Sequence, residues 1–337
     1  MSPAIQLEEL TKTFVVRSSR PGVRGAIAGL FRPDRRDVTA VSDLHLSIDA
    51  GERVAFVGPN GAGKSTTIKM LSGIVHPTRG HATVAGLVPW KQRRALAYRI
   101  GTVFGQRSQL WYHLPPEDTF DLLAHMYDEA GAEYQRRREE LTAAFELGPV
   151  LHTPVRQLSL GQRMRCEIVA SLLHAPDVLF LDEPTIGLDV SAKATIRDVV
   201  RRQSEQDGRT VLLTSHDTGD MERVCDRVVV IHCGRLLVDE PIATLRANYI
   251  RRKLLTLQTA EATVSVDLPG VRVVDQRPHC TEFEVDTDRT PVEVAVQTML
   301  SQARVRDLTV ADPPMDEVVQ LIYSRAEADA SPRTELG

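Results

Sequence analysis

The nine residues GPNGAGKST, Gly58 to Thr66, carry the residue types of a phosphate-binding loop. Their spacing matches G-x-x-x-x-G-K-[ST], and the loop lies between an apolar strand-like run and a helix-like run. Glycines let backbone N–H groups turn toward an anion, and a helix start adds its dipole. We predict that Lys64 contacts the β- and γ-phosphates of a nucleotide and that Ser65 holds Mg²⁺; an accidental glycine-rich turn is the alternative. The predicted contacts of this P-loop are Gly58, Pro59, Asn60, Gly61, Ala62, Gly63, Lys64, Ser65 and Thr66; for Thr66 the alternatives are a position facing the α-phosphate and packing.

Three further apolar runs end in polar residues. Asp182 and Glu183 end the run VLFLDEP, His216 lies in SHD at the end of a second run, and Gln106 lies in FGQ at the end of a third. We predict that Asp182 supports Mg²⁺ and that Glu183 takes a proton from the water that attacks the γ-phosphate; a helix-capping pair is the alternative. His216 is predicted to donate to the γ-phosphate, although a lone histidine is more often a surface or core residue. Gln106 suits Mg²⁺ or the attacking water.

A second phosphate-binding device is predicted at LSLGQ, residues 158–162. Ser159, Gly161 and Gln162 open a pattern with the apolar spacing of a helix. A serine and a glycine at a free helix N-terminus can bind a phosphate. One chain therefore offers two such devices, and this one lies on a helical segment.

The elements that must position these groups are predicted from periodicity. Apolar strands that alternate with helices indicate a parallel sheet buried on both faces, with ligands at the carboxyl ends of its strands. The P-loop, DEP and SHD all follow such strands. Residues 107–177 have helical spacing instead. The strand-like runs are residues 4–16, 39–57, 81–86, 99–106, 177–184 and 210–217.

The chain changes character near residue 241. Period-two runs at 254–259, 263–268 and 282–286 predict strands. A helix is predicted after Thr290 as N-cap, with Pro291 at its first position and Glu293 closing a capping box. A second helix is predicted at 313–325. The predicted domains are 1–240, with a helical subdomain at 107–177 and a basic insertion at 17–36, an α+β domain at 241–325, and a disordered tail at 326–337.

Composition is that of an ordinary globular protein. The 337 residues suffice for two domains, and the formal net charge of −4 gives no global field toward nucleic acid or membranes. The four cysteines lack metal-binding spacing, which indicates reduced, structural thiols. We expect no signal peptide and no membrane span.

These motifs together resemble the nucleotide-binding subunit of an ABC transporter, over roughly residues 4–240. Gly58 to Ser65 matches its Walker A motif, Val178 to Asp182 its Walker B motif and residues 158–162 its signature. Glu183, Gln106, Asp189 and His216 match the catalytic glutamate, Q-loop, D-loop and switch histidine. Three departures are visible: LSLGQ replaces LSGGQ, IGLD replaces SALD, and Phe14 replaces the commoner tyrosine that stacks on adenine. The segment VFGQRSQLWYHLP, residues 103–115, the D-loop and the C-terminal extension are most similar to daunorubicin- and viologen-type exporter ATPases.

The resemblance implies an α/β P-loop NTPase cassette with a parallel-sheet core, an antiparallel β subdomain, a helical subdomain and a small C-terminal α+β domain. It implies ATP and Mg²⁺ as cofactors, and a head-to-tail dimer in which the signature of one copy covers the ATP of the other. It also implies a membrane-spanning permease partner and a location on the inner face of the cell membrane. Leu110, Trp111 and Tyr112 are candidates for the permease contact, with core packing as an equal alternative.

The basic insertion, residues 17–36, carries six arginines and one aspartate around a small apolar island. A solvated loop, a contact with an anionic membrane surface and a contact with RNA or DNA are the three interpretations. The alternative function is an ABC-type ATPase that acts on ribosomes or nucleic acid. Such proteins usually carry two cassettes or a long coiled coil, which this sequence lacks, so nucleic acid is an unlikely partner.

Overall fold

The computed structural model describes residues 3–18, 34–105, 108–129, 131–249 and 251–330. Its contacts divide the chain into two compact units, Met1–Glu240 and Pro241–Gly337. Within the described ranges, every helix is too short or too polar to cross a membrane. The basic insertion lies mostly outside these ranges.

The first unit contains two sheets. Its strands are, in chain order, β1 (Ile5–Ser18), β2 (Asp34–Ile48), β3 (Arg53–Val57), β4 (Arg79–Val84), β5 (Ile100–Phe104), β6 (Val178–Asp182), β7 (Thr210–Thr214), β8 (Arg227–His232) and β9 (Arg235–Pro241). The larger sheet has the order β5-β6-β7-β3-β8-β9, and its first five strands pair in parallel. All five residues of β7 are buried, as expected of a strand covered on both faces. The predicted parallel sheet is confirmed.

The smaller sheet of this unit is antiparallel, with the order β2-β1-β4. Alternate residues of β1 and β2 point into a shared core, as the twofold repeat of a strand requires. Ile5 and Leu7 contribute from β1, and Leu44 and Leu46 from β2; Leu10 joins the same core after a register shift that interrupts the alternation in β1. This core continues to the parallel sheet, so the two sheets support each other from one cluster of side chains.

The helices of the first unit are α1 (Lys64–Leu71), α2 (Arg93–Ala97), α3 (Pro116–Met126), α4 (Ala132–Ala144), α5 (Leu160–Leu172), α6 (Val190–Asp207) and α7 (Thr218–Val224), with 3₁₀ turns at Gly148–Val150 and Val155–Gln157. Three of these helices begin directly after a predicted site motif. The P-loop leads into α1, the signature serine caps α5, and Asp189 caps α6. The motifs therefore lie at helix N-termini, where unpaired N–H groups favour anions.

The second unit is an α+β fold around a four-stranded antiparallel sheet of order β11-β12-β10-β13. Its elements are α8 (Ile242–Tyr249), β10 (Arg252–Thr259), β11 (Val271–Arg277), β12 (Cys280–Asp286), α9 (Val292–Gln302), β13 (Val305–Ala311) and α10 (Met315–Ala330). Leu255 and Phe283 from the sheet pack with Met299 from α9 in a separate core.

Three predictions for this unit are wrong. Residues 263–268 form no strand, because Val264 is buried in the core while its carbonyl accepts from the Gln276 side chain at 3.2 Å. The capping box at Thr290 is absent, because its hydroxyl donates to the Pro269 carbonyl at 2.5 Å and Pro291 becomes the N-cap. Helix α10 continues to Ala330, so the first five residues of the predicted disordered tail are helical.

Candidate functional site

The P-loop holds a backbone path that only glycine fits. Gly61 and Gly63 have φ angles of 81° and 106°, in the left-handed region. A Cβ atom on Gly63 would lie 2.4 Å from the Ala40 carbonyl oxygen, and one on Gly58 would lie 2.6 Å from the Ile231 carbonyl oxygen. The neighbouring strands β2 and β8 therefore fix the loop from outside, and the loop is a rigid turn.

Lys64 is the first residue of α1 and lies within the turn of the P-loop. Its side chain is only 5% exposed, and Nζ donates to the carbonyls of Gly58 at 2.5 Å and Pro59 at 3.2 Å. Burial lowers the pKa of this ammonium, while the nearby carboxylates of Glu183 and Asp182 act to raise it. The loop thus holds a cation in place before any phosphate is bound.

Ser65, Asp182 and Thr214 form an oxygen cluster beside this lysine. The hydroxyls of Ser65 and Thr214 donate to Asp182 Oδ1 at 3.1 Å and 2.7 Å. Hydroxyl and carboxylate oxygens are the ligands that Mg²⁺ prefers, and it usually keeps waters and substrate phosphates as its remaining ligands. The residues present therefore fit a magnesium ion held between α1 and the end of β6.

Glu183 and His216 meet at the ends of β6 and β7. His216 Nε2 lies 2.9 Å from Glu183 Oε1, and the two side chains are 42% and 22% exposed, respectively. Glu183 has a φ of 55°, and its backbone N–H donates to the Thr214 carbonyl and hydroxyl at 3.0 Å and 3.1 Å. A left-handed residue at such a position stores strain, which the paired strand ends hold in place.

The signature segment, residues 158–162, begins α5 with a complete capping box. Ser159 Oγ accepts from the Gln162 N–H at 3.2 Å, and the Gln162 side chain accepts from the Ser159 N–H at 2.9 Å. A serine hydroxyl that accepts one bond still has its O–H to donate. The serine can therefore cap the helix and bind a phosphate at the same time.

The signature segment also packs against the start of α6. A Cβ on Gly161 would lie 3.1 Å from Ala192 Cβ, and one on Gly187 would lie 3.1 Å from Leu160 Cδ2. Asp189 caps α6 by accepting from the Ala192 N–H at 2.8 Å. Leu160 in the signature and Gly187 in the D-loop both depart from the family motifs, and a side chain at residue 187 would crowd the leucine.

The remaining predicted residues are dispersed. Phe14 lies on β1 and is 38% exposed, with Lys12 Nζ 5.0 Å from its ring centre. Thr66 is half-buried on α1, and Gln106 lies outside the described residues. Of the candidates for the permease contact, Leu110 is buried, whereas Trp111 and Tyr112 are 42% and 58% exposed.

The structure therefore gathers the P-loop with Asp182, Glu183 and His216, and it leaves the signature apart from them. In the described ranges, no hydrogen bond or ion pair joins Ser159, Gly161 or Gln162 to that group. Sequence reasoning missed Thr214, whose hydroxyl bridges Asp182 and Glu183; its position at the end of a buried strand was the available signal.

It also missed Glu167 on α5, which is 3% exposed. Its carboxylate accepts from the Ser108 hydroxyl and from the Gln109 N–H at 2.9 Å. Burial raises the pKa of this carboxyl, and these hydrogen bonds act to lower it. Glu167 therefore links residues 108 and 109 to α5, the helix that begins at the signature segment. The available sequence signal was a glutamate at an otherwise apolar position of that helix.

Comparison with known proteins agrees with this geometry. Residues 41–186 match the family described as ABC transporter. The daunorubicin/doxorubicin resistance ATP-binding protein of Streptomyces peucetius is 31% identical over 87% of this chain and 90% of its own length. The Bacillus subtilis protein NatA, an ABC transporter ATP-binding protein, is 31% identical over 61% of this chain and 84% of its own length.

Two solved structures share the fold. An ATP-binding subunit of an ABC transporter superposes with a TM-score of 0.59 at 27% identity, over 73% of this chain and 93% of its own. A dimeric ATP-binding cassette in a post-hydrolysis state bound to ADP and Pi superposes with a TM-score of 0.58 at 26% identity, over 71% of this chain and 98% of its own. The chain accordingly belongs to the ABC transporter ATP-binding proteins, in the group of the daunorubicin-type exporter ATPases, and it is an ATPase.

Proposed function

We propose that this ATPase powers export through a separate membrane-spanning permease and that two copies close head to tail around ATP. One observation carries the proposal. The P-loop and its carboxylates form a connected group, whereas the signature segment is a complete helix start that, among the residues the structure describes, has no hydrogen bond or ion pair to that group. A second copy can bring its signature to the first copy's P-loop, and the dimeric cassette among the related structures supports self-association.

Each residue of the connected group has a role in this proposal. Lys64 contacts the β- and γ-phosphates, and the P-loop N–H groups surround them. Ser65 and Asp182, with Gln106, hold Mg²⁺, which neutralises phosphate charge when bound. Phe14 stacks on adenine. Ser159, Gly161, Gln162 and Asp189 act from the other copy.

Glu183 is the proposed general base. Its carboxylate takes the proton of the attacking water, and His216, whose Nε2 lies 2.9 Å from that carboxylate, donates to the γ-phosphate. Burial lowers the pKa of the Lys64 ammonium, and the carboxylate of Glu183 is near enough to this P-loop residue to act against that lowering. Hydrolysis then reopens the dimer.

The permease contact is proposed at Trp111 and Tyr112. Both aromatics are exposed, while the Tyr112 carbonyl accepts from the Arg156 N–H at 3.0 Å, which fixes their segment. Exposed aromatics on a fixed backbone are typical of protein–protein contacts. The resistance function in the names of related ATP-binding proteins supports export. The protein would then lie on the inner face of the membrane, where the basic insertion could meet anionic lipid.

Two experiments test the proposal. Light scattering of a Glu183→Gln protein should show a dimer with ATP and a monomer with ADP; a monomer under both conditions would contradict head-to-tail closure.

A tagged protein captured from gently solubilised cells should bring down a multi-span membrane protein at near-equal stoichiometry. Recovery of ribosomes or nucleic acid instead, lost at high salt, would replace export with the alternative function.

A further inference from the structure

Asp220 is a fully buried carboxylate on the first turn of α7. Its exposed fraction is 0%, and its three partners come from three different elements. Oδ1 accepts from Arg197 Nε on α6 at 2.6 Å. Oδ2 accepts from two hydroxyls, those of Thr185 and Ser215. No surface of this side chain can reach a nucleotide, so any role in hydrolysis must act through its partners.

The two hydroxyls belong to the two loops that carry the proposed catalytic pair. Thr185 follows Glu183 by two residues after β6, and Ser215 precedes His216 by one residue after β7. A single oxygen atom of Asp220 therefore links both loops within a few residues of the point where Glu183 and His216 meet. The pairing of β6 with β7 holds the two loops together up to Thr214, which accepts from the Glu183 N–H. Beyond that point, Asp220 links the two loops through Thr185 and Ser215.

The surrounding charges keep this carboxylate in place. Arg197 also lies 3.0 Å from Asp217, and Lys193 donates to Asp217 at 2.6 Å. Asp217 in turn caps α7 by accepting from the Gly219 N–H at 2.9 Å, and its own N–H donates to Ser215 Oγ at 2.9 Å. Both ends of the His216 loop are thereby bound to α6 and α7.

We infer that Asp220 is a positioning residue for hydrolysis: it fixes the Glu183 loop and the His216 loop at the separation that brings their side chains together. The inference rests on the roles proposed above for Glu183 and His216. Buried ion pairs are weakly stabilising compared with apolar packing, so stability alone gives little reason for this one. Catalytic geometry gives a reason, because small displacements of a reacting group cost large factors in rate.

The test removes the links and leaves Asp220 itself unchanged. Thr185→Val deletes one hydroxyl with little change of shape, and Ser215→Ala deletes the other. Thr185→Ser restores the hydroxyl at the first site. Ser204→Ala is the matched control, because Ser204 is equally buried and its hydroxyl donates to the Arg209 carbonyl, a contact without catalytic residues. Steady-state ATP hydrolysis and thermal unfolding are measured for each purified full-length protein.

We expect kcat to fall roughly 10- to 100-fold in Thr185→Val and in Ser215→Ala, with KM for ATP unchanged, by analogy with other small misplacements of reacting groups. Thr185→Ser should recover most of the rate. Ser204→Ala should lower the unfolding temperature by a similar amount and leave kcat unchanged. In a Glu183→Gln background, Thr185→Val should have no further effect, because the group that it positions is already absent.

Several outcomes would overturn the inference. Unchanged kcat in both hydroxyl deletions would do so, as would an equal loss in Thr185→Ser, or an undiminished effect of Thr185→Val in the Glu183→Gln background. Failure of the underlying proposal looks different: Glu183→Gln itself would then hydrolyse ATP at the wild-type rate, whatever the hydroxyl variants do.

Discussion

The chain contains two segments that we propose bind phosphate, and they are built in opposite ways. The P-loop is enclosed by β2 and β8, its lysine is 5% exposed, and its serine is hydrogen-bonded to the end of β6. The signature segment lies at a helix start whose hydrogen bonds are satisfied within the segment itself, and its Leu160 is 39% exposed. One device is a buried centre, and the other is a capped helix end open to a partner.

This difference shows which part of the site is preassembled. The residues proposed to bind and activate ATP already contact one another in the single chain, so they need no partner to take up their geometry. The signature needs no partner either, because its capping box satisfies its own donors. In the proposed head-to-tail dimer, nucleotide can then govern closure, because neither surface has to fold when the two meet.

Among the substitutions that test this comparison, the largest effect is expected for one in the buried P-loop group. Glu183→Gln should slow ATP hydrolysis by roughly 10²- to 10⁴-fold, the usual contribution of a general base, and leave ATP binding intact. Phosphate release and nucleotide titration measure the two quantities. Glu146→Gln is the control, because the side chain of Glu146 is 77% exposed and forms an ion pair with Arg165, which has no predicted role at the site. Wild-type turnover in Glu183→Gln would show that Glu183 is not the general base.

At the open device, Ser159→Arg should abolish the ATP-dependent dimer and spare nucleotide binding by the single chain. A long cation placed where two surfaces close costs on the order of 3–5 kcal/mol if it is buried unpaired, or roughly 10²- to 10⁴-fold in association. Light scattering in a Glu183→Gln background measures the dimer. Ser47→Arg, on an exposed position of β2, is the control. A persistent dimer would mean that the signature lies outside the interface.

Lys64→Ala should weaken ATP binding by roughly 10- to 100-fold, since a hydrogen bond to a charged group contributes about 1.5–3 kcal/mol. Fluorescence titration with an ATP analogue measures this change. Lys69→Ala, an exposed lysine on the same helix, serves as the reference. If both variants bind nucleotide equally well, the buried cation is a structural part of the loop and not a phosphate ligand.

The smallest expected effect concerns the contact between Leu160 and Gly187. Gly187→Ala should destabilise the protein by about 1 kcal/mol more than Gly208→Ala, because its new methyl group overpacks Leu160. Both glycines are left-handed, with φ angles of 73° and 63°, but nothing lies within 4 Å of the position of a Cβ on Gly208. Thermal unfolding measures both. Leu160→Ala should remove the extra cost, and an unchanged difference would show that the strain lies elsewhere.

The fold class and the buried device were largely predictable, because their signals are local. A strand, a glycine turn and a helix start lie within about twenty consecutive residues, and the spacing of the glycines reports the turn directly. Alternation of apolar strands and helices likewise indicates a parallel sheet without knowledge of long-range contacts. The placement of Lys64 and Ser65 in the structure follows from these local rules.

The contacts that hold the site together were not predictable in this way. Thr214 meets Glu183 across 31 residues and Thr185 meets Asp220 across 35, and no spacing rule reports such pairs. At Thr290 the local pattern gave a wrong prediction. The residues from Thr290 to Glu293 fit a capping box, but the Thr290 hydroxyl donates to the distant carbonyl of Pro269 instead. Local preference gives way wherever a tertiary partner offers a better hydrogen bond.

One consequence of having both devices on each chain concerns genetics. In the proposed head-to-tail pair, a copy with a damaged P-loop still offers an intact signature, and a copy with a damaged signature still offers an intact P-loop. Co-expression of Lys64→Ala and Ser159→Arg chains would then give mixed pairs with one complete ATP site, whereas either variant alone would have none. The proposed dimer therefore predicts complementation between two alleles that are each inactive alone.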